Sequence, residues 1–226
     1  MDPKQRAGEA ALQHVKDGMI IGLGTGSTAR HFIEAMGLAL RNGQLRDIRA
    51  VPTSVNSEKL AIRSGLTVVT FAQITKIDLT VDGADEIAPD LTLIKGLGGA
   101  LLREKLVAQN SSKLVIIADA QKLVTRLGTK SPLPVEVTPF GCEANERFLR
   151  GLGCVPTLRR QQDGSVLITD NGNYIIDCKF AEISDPRDLN LKLATRAGIV
   201  ESGLFIDLTH TAIIADNATV WTIAKP

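Results

Sequence analysis

Four short stretches of the chain carry groups suited to chemistry. The first is Gly22-Leu23-Gly24-Thr25-Gly26-Ser27-Thr28. A glycine-rich loop entering a helix offers several backbone N–H groups and the positive end of the helix dipole, which suits a phosphate or a developing oxyanion. No Lys follows the last glycine, so this is not a Walker loop, and the glycine spacing misses the dinucleotide fingerprint. The second is Val81-Asp82-Gly83-Ala84-Asp85-Glu86. Three crowded carboxylates repel and need a cation, a metal or hydroxyl donors beside them; a magnesium ion or a polyhydroxylated substrate would serve. The third runs from Lys95 through Gly96-Leu97-Gly98-Gly99 to Leu101-Leu102-Arg103-Glu104-Lys105. Lys95 stands at a strand end, and Glu104 lies about a turn into the following helix. The fourth is Ala118-Asp119-Ala120-Gln121-Lys122, where Lys122 can point over a sheet edge. Singly, these stretches also read as a tight turn, a solvated acidic turn, an exposed helical Glu and a solvated Lys. Together they offer amide donors, carboxylates, two lysines and a base. That inventory fits proton abstraction next to a carbonyl on an anionic, hydroxyl-rich small molecule.

The elements that must position these groups alternate. Met19–Leu23 reads as a buried strand, and Ala29, Phe32, Ile33, Met36 and Leu40 recur at helical spacing behind it, with Ser27 or Thr28 as the expected cap. Ser54 reads as the cap of a helix with Glu58 in its first turn. Strands are expected at 48–51, 67–69, 77–81, 91–94 and 113–117, and a helix from about Leu101 to Gln109. This alternation predicts a parallel α/β sheet, with all four stretches at carboxyl ends of its strands, where open sheets bind ligands. The character changes near Thr129, and Ser131-Pro132-Leu133-Pro134 reads as a boundary because two prolines break regular elements. Beyond it come a strand at 135–138, a helix, a hairpin of 154–159 with 165–169, a turn at Asp170-Asn171-Gly172-Asn173 and a helix stopped by Gly198. The division expected is a larger domain of residues 1–129 and 203–226 and a small α+β domain of residues 130–202.

Composition narrows the class. The 226 residues are long enough for a core without staples, and 44% hydrophobic with 23% charged residues is ordinary globular content. The net charge of +1 gives no field for a nucleic-acid backbone or a membrane surface, and no apolar run reaches the length of a membrane span. Met1-Asp2-Pro3-Lys4-Gln5-Arg6 is polar, without an apolar leader region, so a cytoplasmic location is expected. Cys142, Cys154 and Cys178 form no CxxC pair and read as buried thiols of a reducing compartment. His14, His31 and His210 lie far apart and near no Cys, so no metal site is expected.

The ordered set Gly-Thr-Gly-Ser-Thr, Asp-Gly-Ala-Asp-Glu and Lys-Gly-x-Gly-x-Ala-Leu-x-Arg-Glu-Lys resembles ribose-5-phosphate isomerase of the A type. Pro132-Leu133-Pro134-Val135-Glu136-Val137 and Thr169-Asp170-Asn171-Gly172-Asn173 are similar to that family too, so the resemblance runs from about Lys4 to Thr222. It implies a Rossmann-like domain with a smaller ferredoxin-like domain inserted. It also implies a cofactor-free aldose–ketose isomerase of the pentose phosphate pathway, acting on a sugar phosphate as a homodimer or homotetramer. Residue by residue, it assigns the general base to Glu104. It assigns substrate binding to Thr25, Gly26, Ser27 and Thr28, to Asp82, Gly83, Ala84 and Asp85, to Lys95, Gly96, Leu97 and Gly98, and to Lys122, with Lys4 reaching the phosphate. The chain departs at Leu97, where the family often has Gly, and at Gly99, often Ala. The competing class is a sugar-phosphate-binding regulatory module; the expectation that no DNA-reading segment precedes the chain, and the presence of Glu104 and both aspartates, weigh against it. A nicotinamide-dependent enzyme is disfavoured by the glycine spacing.

Overall fold

The computed structural model describes residues 2–225; Met1 and Pro226, the ends of the expected larger domain, lie outside the described residues. The described strands, in chain order, are β1 (Ile20–Leu23), β2 (Arg49–Pro52), β3 (Thr67–Val68), β4 (Leu79–Asp82), β5 (Glu86–Ile87), β6 (Leu93–Ile94), β7 (Leu114–Asp119), β8 (Leu133–Val137), β9 (Val155–Leu158), β10 (Tyr174–Lys179), β11 (Ile199–Ser202), β12 (Leu204–Phe205), β13 (Thr211–Ala215) and β14 (Val220–Ala224). The helices are α1 (Pro3–Ala10), α2 (Ser27–Arg41), α3 (Val55–Arg63), α4 (Leu101–Gln109), α5 (Cys142–Gly151) and α6 (Pro186–Ala194). The chain divides into two compact units, one of Met1–Ala84, Arg103–Lys122 and Asp207–Pro226, the other of Asp85–Leu102 and Leu123–Ile206.

The first unit holds a seven-stranded sheet in the order β14-β13-β7-β4-β1-β2-β3, parallel except for β14. Its central strands β13, β7, β4 and β1 are buried on both faces, as a parallel sheet covered by helices requires, while the edge strands β14 and β3 are partly exposed. Ile21, Leu23, Val81, Val115 and Ile117 pack with Phe32, Ile33 and Met36 of α2 and Ala7 of α1. Ile20 points the other way and packs with Val51, Ile77 and Val107 of α4. Each fully buried Phe, Ile or Met contributes roughly 1.5–3 kcal/mol. The helical stripe expected over 29–40 is therefore the inner face of α2. The cap is Gly26 rather than Ser27 or Thr28; its φ of 112° and ψ of 179° are open to glycine alone, and the chain turns into the helix one or two residues early.

The second unit contains β8-α5-β9-β10-α6-β11, an antiparallel sheet in the order β11-β8-β10-β9, which is the ferredoxin-like arrangement. Leu133, Val135 and Val137 face a core with Leu149 of α5, Leu189 and Leu193 of α6, and Cys142, Cys154 and Cys178. All three cysteines are free and buried. The hydrogen bond with Cys154, and burial, hold the Cys178 thiol far above the usual thiol range.

Three expectations need correction here. Residues 85–102, and with them 123–129 and 203–206, belong to the second unit; β5 and β6 pair with each other and β6 with β12 in a separate antiparallel sheet. The strand carrying Lys95 is thus not in the parallel sheet. Pro134 does not break the chain but lies inside β8. It keeps one ladder bond and lacks the other: its carbonyl accepts from Gly203 N–H at 2.8 Å, but it has no N–H for the Gly203 carbonyl, which takes Lys95 N–H at 2.9 Å instead. Ser165–Thr169 forms only an isolated bridge, Arg160 to Val166, because the Thr169 N–H is taken by the Asn173 carbonyl across the following turn.

Candidate active site

In the first unit, the sheet order reverses between β1 and β4, the place where open α/β sheets bind ligands. The loop after β1 is tied to β4 there. Gly24 N–H donates to the Val81 carbonyl at 2.9 Å. Thr25 N–H donates to Asp82 Oδ1 at 3.1 Å, and Gly83 N–H to the same oxygen at 2.7 Å. A Cβ on Gly24 would lie 2.1 Å from Asp82 Oδ1 and 2.5 Å from its Cα, so only glycine permits this approach. Asp82 is 1% exposed, and one of its oxygens is committed to shaping the loop. Helix α2 starts with no side-chain hydrogen bond at its cap, so its first-turn amides are offered to an anion. Gly26 and Ser27 are exposed, Thr25 half-buried and Thr28 buried.

A hydroxyl cluster buttresses the loop. Thr25 Oγ1 is 2.8 Å from Thr53 Oγ1 and 2.9 Å from Ser54 Oγ, and Ser54 Oγ is 2.8 Å from Ser57 Oγ. Ser54 also caps α3, as expected, in a reciprocal box with Ser57. Sequence reasoning missed this second role of Thr53, Ser54 and Ser57. The available signal was a run of hydroxyl residues at the carboxyl end of β2, beside β1.

Glu104 sits in the first turn of α4 and is 4% exposed. Its placement follows from Val107, one turn later, whose methyl would lie 2.7 Å from a Cβ built on Gly22 of β1. Residues three apart share a helix face, so Glu104 faces the sheet. The far end of α4 leads to Asn110, whose carbonyl accepts Ile77 N–H ahead of β4. Helix and strands therefore run in opposite senses, and Glu104 lies toward the carboxyl edge that carries Asp82 and the glycine loop. Lys122 closes the short turn after β7, one strand beyond β4, and is half-buried. Lys4 is half-buried in the first turn of α1.

Gly83 and Ala84 are half-buried on the stretch that leaves β4. In the second unit, Asp85 Oδ2 accepts Leu97 N–H at 2.9 Å. Lys95 is 2% exposed, with its ammonium 5.4 Å from the Phe205 ring centroid, a cation–π contact. The backbone turns at Gly96 (φ 107°) and Gly99 (φ 80°), while Leu97 is exposed and not left-handed, so a leucine fits there. An alanine at the Gly99 position would cost roughly 1–2 kcal/mol. Glu86, wholly buried, accepts the N–H groups of Gly128, Lys130 and Ser131 at 2.6, 2.7 and 2.5 Å. It is a staple for that loop. Each carboxylate of the acidic stretch is thus met by backbone amides. Among the described residues, no group of three or more His, Cys, Asp or Glu is placed to hold a metal ion.

Comparison with known proteins shows the family. The family model described as ribose 5-phosphate isomerase A (phosphoriboisomerase A) matches residues 49–219. A protein of Bacillus mycoides named ribose-5-phosphate isomerase A is 49% identical over 215 residues, 95% of this chain and 96% of that protein. A solved ribose 5-phosphate isomerase from Plasmodium falciparum superposes with a TM-score of 0.95 at 40% identity, covering 98% of this chain and 97% of that one. A solved D-ribose-5-phosphate isomerase in complex with phospho-erythronic acid gives a TM-score of 0.95 at 39% identity over 98% of this chain and 97% of that one.

Proposed function

The chain belongs to the ribose 5-phosphate isomerase A family and interconverts ribose 5-phosphate and ribulose 5-phosphate, and on that premise we propose that Glu104 is the proton shuttle of the reaction. The carboxylate removes the proton from C2 of the open-chain aldose, an enediolate forms across C1 and C2, the hydroxyl proton passes from O2 to O1, and the same carboxylate returns its proton to C1. The observation that carries this reading is a buried carboxylate at the carboxyl edge of the sheet where Asp82 and the glycine loop are joined. General acid–base catalysis of this kind contributes roughly 10²–10⁴-fold. The rest comes from stabilising the enediolate oxygens, at about 2.7–4 kcal/mol per well-aimed donor.

The amides of Thr25, Gly26, Ser27 and Thr28 take the phosphate, with Lys4 as an added cation. Lys95 and Lys122 supply positive charge to the enediolate and the sugar oxygens. Asp82 and Asp85 accept sugar hydroxyls and assist ring opening, with Gly83, Ala84, Gly96, Leu97 and Gly98 giving backbone contacts. The relative solved with phospho-erythronic acid holds a phosphorylated polyhydroxy acid, the chemistry these amides and cations suit. No cofactor enters this scheme.

Among the described residues, no helix is long and apolar enough to cross a membrane. Three buried free thiols support a reducing, cytoplasmic location. Phe140 is 95% exposed, and Val155 lies exposed on the edge strand β9; such apolar surface supports a homodimer or homotetramer, which sedimentation checks.

The test of the shuttle is Glu104→Gln in an isomerase assay with no added metal or nucleotide. Turnover falls at least 100-fold while ribose 5-phosphate still binds. Near-wild-type turnover removes Glu104 from this role.

A further inference from the structure

We propose that Arg159 is a positioning residue for the reaction, through its hold on the loop that carries Lys95 and Gly96–Gly98. The inference rests on the reading that this loop meets substrate. Arg159 follows β9 and is tied to β10 by a forked ion pair. Its Nε donates to Asp177 Oδ2 at 2.8 Å and its Nη2 to Asp177 Oδ1 at 2.5 Å. The two side chains are only 11% and 21% exposed. That leaves Nη1, which donates to the Gly96 carbonyl at 2.9 Å and the Leu97 carbonyl at 3.0 Å.

This one nitrogen holds two successive peptide planes, the first of them together with Gly99 N–H, which donates to the Gly96 carbonyl at 3.0 Å. Within a trans peptide the carbonyl and the next N–H point in opposite directions. With the Gly96 carbonyl on Arg159, the Leu97 N–H must face away, and it donates to Asp85 Oδ2 at 2.9 Å. With the Leu97 carbonyl on Arg159, the Gly98 N–H is turned away as well. A polarised line then runs from Asp177 through the guanidinium and the 96–97 peptide to Asp85, whose carboxylate is aimed by it. Glycines at 96 and 98 leave these planes free to rotate when nothing holds them. Lysine cannot replace the fork, because an ammonium is a point charge and cannot span a carboxylate and two carbonyls in one plane.

The test compares Arg159→Ala and Arg159→Lys with Glu104→Gln, with folding checked by circular dichroism. In Arg159→Ala, kcat/KM falls about 100-fold, as for a misplacement near 1 Å. Millimolar methylguanidinium restores at least tenfold of that loss, a response that a purely structural ion pair does not give. A folded Arg159→Ala with wild-type kcat/KM, or with a loss that methylguanidinium leaves untouched, overturns the inference. If Arg159→Ala does not fold, Arg159→Lys decides: a loss of tenfold or more supports the hold, and wild-type values overturn it. Calorimetric binding of ribose 5-phosphate to Arg159→Lys in the Glu104→Gln background separates the readings. Binding at least tenfold weaker than in Glu104→Gln alone supports the hold, and equal binding overturns it. Loss of turnover in Glu104→Gln with no effect at Arg159 sinks this inference alone; turnover retained in Glu104→Gln sinks the shuttle assignment and leaves the binding comparison to judge Arg159.

Discussion

Replacing Gly24 by alanine should damage the site and the fold together, by an amount the geometry sets. The added methyl would lie 2.1 Å from Asp82 Oδ1, 2.4 Å from Cγ and 2.5 Å from Cα. Carbon atoms rest at about 3.5–4.0 Å, so the loop must retreat by about 1 Å, and the Cα cannot swing aside as a side-chain tip can. The Thr25 N–H to Asp82 bond, already 3.1 Å long, is then lost. A hydrogen bond to a charged group contributes about 1.5–3 kcal/mol, and forced packing costs about 1–3 kcal/mol more. The expected destabilisation is about 3–5 kcal/mol, a fall in Tm of roughly 10 °C for a chain of this size. Displacing the amides proposed to take the phosphate by that distance should also lower kcat/KM about 100-fold. The assay is thermal unfolding alongside steady-state isomerisation of ribose 5-phosphate. Gly151→Ala is the control, because nothing lies within 4 Å of its Cβ and its φ is not left-handed; there Tm holds or rises. A folded Gly24→Ala enzyme with wild-type Tm and kcat/KM would refute the claim that this contact shapes the loop.

Glu86→Gln keeps the volume but leaves an NH2 facing backbone donors, so at least one of three hydrogen bonds is lost; a destabilisation of about 2–5 kcal/mol is expected, and a Tm within 2 °C of wild type would show that Glu86 does not staple the 128–131 loop. His14 has a lowered pKa, from burial first and Lys113 second, so the unfolded chain takes up its proton at a higher pH than the folded one. Stability is then complete above about pH 6.5 and declines as the pH falls below it. His14→Gln should flatten that acid-side decline in denaturant unfolding between about pH 5 and 7, and an unchanged slope would clear His14 of the effect.

Much of the first unit was legible because its signals are local and periodic. The stripe Ala29, Phe32, Ile33 and Met36 could only be one face of a helix, and all four residues are buried. The apolar run at 114–118 is the buried center of β7. What stayed hidden depends on partners distant in sequence. Pro134 reads as a breaker until Gly203, 69 residues on by 203 − 134, is seen to send its carbonyl elsewhere. Glu86 reads as a third site carboxylate until Gly128, Lys130 and Ser131 arrive to claim it. The start of α2 lies one or two residues before the expected Ser27 or Thr28 because Ser and Thr are the commoner caps, and only the backbone angle at Gly26 shows that glycine has that place.

The second unit shows how a missing donor can serve a site. An ordinary residue at 134 would offer an N–H to the Gly203 carbonyl and close the β8 ladder. Proline offers none, and the carbonyl turns to Lys95 N–H at 2.9 Å. The approach is close enough that a Cβ on Gly203 would lie 2.1 Å from the Lys95 carbonyl. Pro134 and Gly203 thus act as a pair: one frees an acceptor, the other lets the Lys95 backbone reach it. Lys95 is thereby anchored by its main chain at Gly203 and shielded by Phe205, and the loop after it is held at Gly96 and Leu97 by Arg159. A buried ammonium is costly unless it is paired and hydrogen-bonded, and its partners act best when the backbone around it is fixed in advance. The rigid backbone on both sides of Lys95 supplies that fixity, which is what a cation needs if it is to meet charge that develops only as the proton moves.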